Sequence, residues 1–347
     1  MPGTVSILGA GAMGSALATP FRTAGWNVHL WGTWLDDHLL DACRAGRPHP
    51  RTGVVLADGT RLFASDQLDD ALDGADLAVV AVASVGVREV VRRALAGISR
   101  TRALLLTSKG FAPDEHGRVR LLPDAMRDLA AEHGISLPPI VAVGGPCKAD
   151  EVAASRWTAA VFGCTDLGTA LDTVKAVATD AYRAEVTADE AGVEICAAMK
   201  NVYAITLGIA DGLGERRKEP HHDLKAASFA QAVRELVVLT RLVGGDPQTA
   251  TGLAGVGDLE VTGLSGRNKI FGVRIGRGEP AGNALDAMTA AEQTVEGVPA
   301  ARLARTLVDQ HDRAVWSRLP LFTAILDVLD SCEDPAARIA DAVLPTV

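Results

Sequence analysis

Gly9-Ala10-Gly11-Ala12-Met13-Gly14 stands directly after the apolar run Thr4–Leu8 and opens a stretch with helical apolar spacing, Met13–Ala24. A G-x-G-x-x-G segment between a strand and a helix admits few folds. Its first glycine permits a tight turn, its second lets backbone approach a pyrophosphate, and its third lets the helix lie close on the sheet. The helix N-terminus then faces the anion. The required strand–turn–helix context is present, so Gly9, Gly11, Ala12, Met13 and Gly14 are read as a dinucleotide-binding turn.

The elements behind that turn extend the reading. Asn27–Trp31, Leu77–Val82, Ala103–Leu106, Ile140–Val143 and Thr158–Phe162 join Thr4–Leu8 as buried parallel strands, with helical spacing between most of them, as in Val85–Leu95. Such alternation means βαβ units and an α/β, Rossmann-type doubly wound, mainly parallel sheet. Val54–Phe63 differs: two short runs flank Ala57-Asp58-Gly59-Thr60 and read as an edge hairpin. After Val186 the pattern changes. Thr187-Ala188-Asp189 offers caps, and Glu190–Leu213, Lys225–Leu242, Lys269–Arg277, Val298–Gln310 and Leu319–Leu329 read as helices with no convincing strand. We expect a dinucleotide-binding domain over 1–187 and an all-α substrate-binding domain over 188–347, with the polar Gly212–Asp223 as a mobile loop.

The length agrees with two domains, because 347 residues exceed the roughly 250–300 that one hydrophobic core serves. A net charge of −9 argues against nucleic acid as a partner, since neutralising phosphates takes clustered cations. Five scattered cysteines without a CxxC pair support neither a disulfide framework nor a metal site, and point to a reducing cytoplasm. Strand-sized apolar runs, far below the ~18 residues of a membrane helix, argue against membrane insertion.

The choice of dinucleotide rests on the end of the second strand, where an acid about ~20 residues past the turn would accept the ribose hydroxyls of NAD. Leu30-Trp31-Gly32-Thr33 ends with neither acid nor arginine. Asp36 and Asp37 read as caps of the next helix. Thr33 is placed to donate to a 2′-phosphate and Arg47 or Arg51 to reach back towards it, which tips the reading to NADP over NAD; the arginines are equally readable as solvated.

Three segments carry cations in apolar or glycine-rich surroundings. Lys109, in Thr107-Ser108-Lys109-Gly110, follows a buried strand at the carboxyl edge where ligands bind in doubly wound sheets. Lys200 and Asn201 interrupt the apolar helix Glu194–Gly208. A buried ammonium needs a partner, and a desolvated lysine is suited to protonate a carbonyl oxygen; the bland alternatives are that Lys200 snorkels or pairs with Glu194. Gly255–Gly276 brings Asp258 as a possible partner of Lys200. Its glycines read as points of backbone approach to a ligand, and Arg267 and Asn268 at a helix start form a phosphate site.

Taken together, GAGAMG at 9–14, SKG at 108–110, GGP at 144–146, AMKNVYAI at 198–205, GVGDLEVTGLSGRN at 255–268 and TVEG at 294–297 resemble the soluble NAD(P)-dependent glycerol-3-phosphate dehydrogenases of bacteria and archaea. The resemblance covers nearly the whole chain. It implies Lys200 as proton donor when dihydroxyacetone phosphate is reduced, with Lys109 polarising the substrate and Asp258 and Thr262 lining the same site. Asn201, Arg267 and Asn268 would hold the phosphate, while Glu296, with Arg267 and Lys109, would contact the cofactor. A homodimer and a role in glycerophospholipid metabolism are further implications. The chain departs from the family at Cys147, Lys148, Asp223 and Gln231, and His221 and His222 are new; the histidines read as exposed loop residues, not metal ligands. Because Asp223 and Gln231 border the expected pocket, reduction of a related phosphorylated or phosphonylated carbonyl stays open. So do a 3-hydroxyacid or ketopantoate-type dehydrogenase and a non-catalytic dinucleotide-binding protein.

Overall fold

The computed structural model describes residues 3–345. Strands apolar on both faces need helices over both, and the first part of the chain supplies them. In chain order it runs β1 (Thr4–Leu8), α1 (Ala12–Thr23), β2 (Asn27–Trp31), α2 (Asp37–Arg44), β3 (Arg61–Phe63), α3 (Leu68–Leu72), β4 (Leu77–Val80), α4 (Ser84–Ile98) and β5 (Ala103–Leu106). A small hairpin, β6 (Phe111–Pro113) and β7 (Val119–Leu121), leads to α5 (Leu122–Glu132). Then come β8 (Ile140–Gly144), α6 (Ala149–Ala153), β9 (Thr158–Gly163), α7 (Leu167–Val177) and β10 (Tyr182–Thr187).

Eight strands form one sheet in the order β10-β9-β8-β5-β4-β1-β2-β3. The alternation of side chains sorts its two faces into separate cores: Ile7, Val79, Leu105 and Val141 pack on one side. Leu8, Val80, Leu104 and Leu106 pack on the other. This is the Rossmann-type sheet expected, with three local differences. β9 runs antiparallel to β8, where a parallel strand was expected. β10 is an added outer strand, parallel to β9; its alternating exposure hides it from a search for buried runs. The expected hairpin over Val54–Phe63 is also absent. Thr60 N–H does close a turn onto the Ala57 carbonyl at 3.3 Å, but only Arg61–Phe63 becomes a strand, and it pairs parallel with β2.

Among the described residues no strand follows Thr187. The helices are α8 (Glu190–Arg217), α9 (His222–Leu242), α10 (Pro247–Thr251), a π-helical turn (Leu253–Gly257), α11 (Asp258–Leu264), α12 (Arg267–Gly276), α13 (Ala281–Ala290), α14 (Gly297–His311), α15 (Pro320–Ser331) and α16 (Pro335–Val343). Asp189 caps α8 by accepting from Gly192 N–H at 2.9 Å. α8 continues to Arg217, so the expected mobile loop over Gly212–Asp223 shrinks to the few residues before α9. By length and composition α8 is apolar enough to cross a membrane, but its apolar window is wholly buried. The chain divides into two units. One runs to Asp114 and resumes over Arg120–Glu194; the other takes Glu115–Val119 and continues from Ile195. The division thus falls within α8, past the residue 187 at which the sequence pattern changes.

Candidate active site

In the first unit the glycine-rich turn lies where β1 and β4 part, the switch point at which doubly wound sheets bind ligands. Gly9 has φ +116°, and a Cβ there would sit 2.7 Å from Val82 Cγ1 and 2.8 Å from the Ala81 carbonyl. A Cβ on Gly14 would lie 1.9 Å from the Gly9 carbonyl, so only glycine lets α1 begin this close to the turn. Gly11, the residue before Ala12 and Met13, is different: a Cβ there would meet only Arg51 Nη1, at 3.5 Å. The turn is therefore packed behind and open in front, and these residues fit a dinucleotide pyrophosphate.

Thr33, Asp36 and His49 hold this turn in a way the sequence did not reveal. Asp36 does not cap α2 with its side chain, contrary to expectation. Its Oδ2 instead accepts from Thr33 N–H and Thr33 Oγ1–H, each at 2.9 Å, and from Ala10 N–H at 3.3 Å. The Thr33 hydroxyl hydrogen, expected to face a 2′-phosphate, is thus already engaged. Arg47 is exposed on the stretch after α2.

Lys109 also belongs to the first unit, on the loop after β5. Ser108 Oγ donates to the Val82 carbonyl at 2.6 Å, and Gly110, with φ +148°, lets the loop pass Ser84 closely. Near it in charge terms is Glu194, whose two oxygens are buried with no hydrogen-bond partner. Burial, reinforced by Glu190 and opposed by Lys109, pushes the Glu194 carboxyl well above the ordinary range.

The second unit holds the other expected residues. Lys200 is buried on α8 and its Nζ pairs with Asp258 Oδ1, which is fully buried. Asp258, rather than Glu194, is thus the partner of the ammonium. The π-helical turn carries Asp258 into place, with Gly255 required because a Cβ there would lie 1.9 Å from the Ala250 carbonyl; π-turns recur at functional sites for such re-aiming. Thr262 Oγ1 donates to the Asp258 carbonyl at 2.6 Å, which leaves its lone pairs free to accept.

Asn268, at the start of α12, accepts from Gly297 N–H at 2.8 Å through Oδ1 and donates to Asn201 Oδ1 at 3.0 Å. Asn201 Nδ2 in turn faces Glu296 Oε2 at 3.5 Å. Each amide orientation is fixed by its neighbour, and each keeps a second N–H for a ligand. Arg267 is exposed beside them, behind Gly266 at φ +139°. Several glycines read as ligand approaches do something else. A Cβ on Gly272 would lie 2.0 Å from the Ile205 carbonyl and one on Gly276 2.2 Å from that of Ile209, so they let α12 touch α8. Of the departures, Gln231 donates to Glu235 at 2.9 Å, and Lys148 Nζ lies 3.3 Å from Asp150.

Residues 4–170 match the family model described as NAD-dependent glycerol-3-phosphate dehydrogenase N-terminus, and residues 189–340 match its C-terminus. The chain is 37% identical over 274 residues to an NADP(+)-dependent glycerol-3-phosphate dehydrogenase of Archaeoglobus fulgidus, covering 79% of this chain and 80% of that one. It is 35% identical to a glycerol-3-phosphate dehydrogenase [NAD(P)+] of Symbiobacterium thermophilum over 94% of this chain and 89% of the relative. The crystal structure of a glycerol-3-phosphate dehydrogenase from Coxiella burnetii superposes with TM-score 0.82 at 27% identity, covering 98% of each chain.

Proposed function

The chain belongs to the NAD-dependent glycerol-3-phosphate dehydrogenase family, and from that premise we infer that it is an NAD(P)-dependent oxidoreductase interconverting dihydroxyacetone phosphate and glycerol 3-phosphate. The observation that carries the reading is the buried Lys200–Asp258 pair, beside an amide network that leads from Asn201 through Asn268. A buried ammonium paired with a buried carboxylate is an unusual expense for mere stability, and it holds a proton in place for transfer to an oxygen that gains negative charge.

In this reading the nicotinamide, when bound, supplies the hydride to the carbonyl carbon in reduction or takes it back in oxidation. Lys200 Nζ gives a proton to the carbonyl oxygen as negative charge develops there, and Asp258 keeps the ammonium aimed. Arg267 presents a guanidinium, and Asn201 and Asn268 present their remaining amide hydrogens, to the substrate phosphate. Thr262 accepts from a substrate hydroxyl, and Lys109 polarises the carbonyl. Gly9, Gly11, Ala12, Met13 and Gly14 receive the pyrophosphate, with Glu296 and Arg267 also at the cofactor. A cytoplasmic location, a homodimer and a part in making glycerol backbones of lipids complete the reading. Five free cysteines support the first, and the family resemblance supports the others.

Absorbance at 340 nm tests it. With dihydroxyacetone phosphate and NADPH or NADH the signal should fall rapidly. Lys200→Ala, folded by circular dichroism, should slow turnover by roughly 10²–10⁴-fold, the usual worth of a positioned acid. Unchanged turnover in that variant would remove Lys200 from the chemistry; no turnover by the parent would remove the substrate.

A further inference from the structure

The Ala10 peptide of the glycine-rich turn is clamped from both sides. Its N–H goes to Asp36, and its carbonyl lies 3.0 Å from Nε2 of His49, a fully buried side chain. The other ring nitrogen, Nδ1, receives the Arg51 backbone N–H at 3.2 Å. A nitrogen that accepts a hydrogen bond carries no proton, so Nε2 holds it and donates to Ala10: the imidazole is neutral. Burial, with the Arg51 charge adding to it, pushes the imidazole below its ordinary range, against the pull of the Ala10 bond. The strap around His49 is fixed further by Gly53 N–H, 2.8 Å from the His49 carbonyl, and His49 N–H, 2.9 Å from that of Val54.

The clamp delivers one charged side chain to one place. The Arg51 guanidinium lies over the open face of Gly11, on the side of the turn from which a dinucleotide approaches. Arg47, whose N–H bonds the Ala42 carbonyl at 3.0 Å, sits on the stretch directly after α2 and outside this clamp. The nearest acid past β2, Asp36, has Oδ2 occupied by three donors and is buried, so its charge is already satisfied by the protein. A cation set forward and an acid drawn back is the arrangement that accepts a phosphate on the ribose.

We propose that Arg51, held by the His49 clamp, is the residue by which this chain prefers a 2′-phosphorylated dinucleotide to an unphosphorylated one. The proposal rests on the dinucleotide-binding reading of the turn and not on the identity of the substrate. Titration calorimetry of the full chain with 2′,5′-ADP and with 5′-AMP tests it, since neither probe carries a nicotinamide or reacts. The parent should bind 2′,5′-ADP on the order of 10–100-fold more tightly, the worth of a charge-assisted hydrogen bond. Arg51→Leu should bring that ratio close to one while leaving 5′-AMP within about twofold; Arg47→Leu should leave the ratio as it was. His49→Ala should lower the ratio as well, and Arg51→Lys should restore part of it. No preference in the parent, a preference surviving Arg51→Leu, or an equal loss for both probes would overturn the assignment. Failure of the dihydroxyacetone phosphate assay would leave it standing.

Discussion

Glu235, far in sequence from any motif, is among the most informative single residues. It is fully buried on α9 and accepts from Tyr203 Oη–H at 3.0 Å and Gln231 Nε2–H at 2.9 Å. It also accepts from the backbone N–H groups of Leu321 and Phe322 at 2.6 and 2.8 Å, and so caps α15. Burial outweighs these bonds and raises the carboxyl to about 7. The native state therefore holds this proton to higher pH than the unfolded chain does. Below the unfolded value near 4.5 both states carry it; between there and about 7 stability falls by up to ~1.4 kcal/mol per pH unit, then levels off. Urea unfolding of Glu235→Gln against the parent from pH 4.5 to 8 should isolate this slope, because Glu194, raised too, contributes equally to both. Parallel curves would show that Glu235 carries no such proton. Pairings of this kind divide what sequence can reveal. The ammonium of Lys200 inside an apolar helix demands a carboxylate, and the Gly-Asp segment at 257–258 offers one. The bonds from Asp36 and His49 to Ala10 span many residues with no pattern to announce them, and Gln231 reads as a lost pocket group until Glu235 is seen behind it.

At the scale of elements, α8 and α12 carry the amide and guanidinium part of the second unit's polar cluster, and their contact sets its geometry. α8 bears Lys200 and Asn201, and α12 begins with Arg267 and Asn268. Gly208 and Gly212 on α8 face Gly272 and Gly276 on α12, each pair four apart. A Cβ on Gly208 would lie 2.1 Å from the Lys269 carbonyl, and one on Gly212 2.1 Å from that of Val273. Backbone here meets backbone, and no flexible side chain stands ready to yield. Gly272→Ala should cost about 1–3 kcal/mol of stability, the range for overpacking, read from urea midpoints. It should also weaken inorganic phosphate binding by moving Arg267 and Asn268 away from Asn201. An alanine accommodated without loss of either would mean that the helices separate easily. The helices themselves were legible because apolar spacing persists over long stretches. The role of their glycines was not: a glycine facing a ligand and one facing a carbonyl look alike in sequence. β9 was legible as a strand but not in direction, since its apolar run reads the same either way.

For the molecule as a whole, the expected ligand residues divide between two units. The dinucleotide turn, Arg51 and Lys109 belong to one; Lys200, Asp258, Arg267 and Asn268 belong to the other. Most elements fall within one unit or the other, and each unit buries apolar side chains of its own, so the chain is not bound to unfold in one step. Ligands then report on the units separately. A ligand that binds only folded protein stabilises by about 2.7 kcal/mol at a hundredfold excess over its dissociation constant. Scanning calorimetry should give a calorimetric enthalpy above the van't Hoff value. 2′,5′-ADP should raise the component of the first unit, and inorganic phosphate that of the second. The continuous helix α8, with Glu190–Glu194 counted in one unit and the remainder in the other, argues in the opposite direction: melting one end removes the first turns of the other unit's longest helix. If that mechanical link outweighs the independence of the cores, both ligands will raise a single transition with equal enthalpies, and the units must then be treated as one cooperative body.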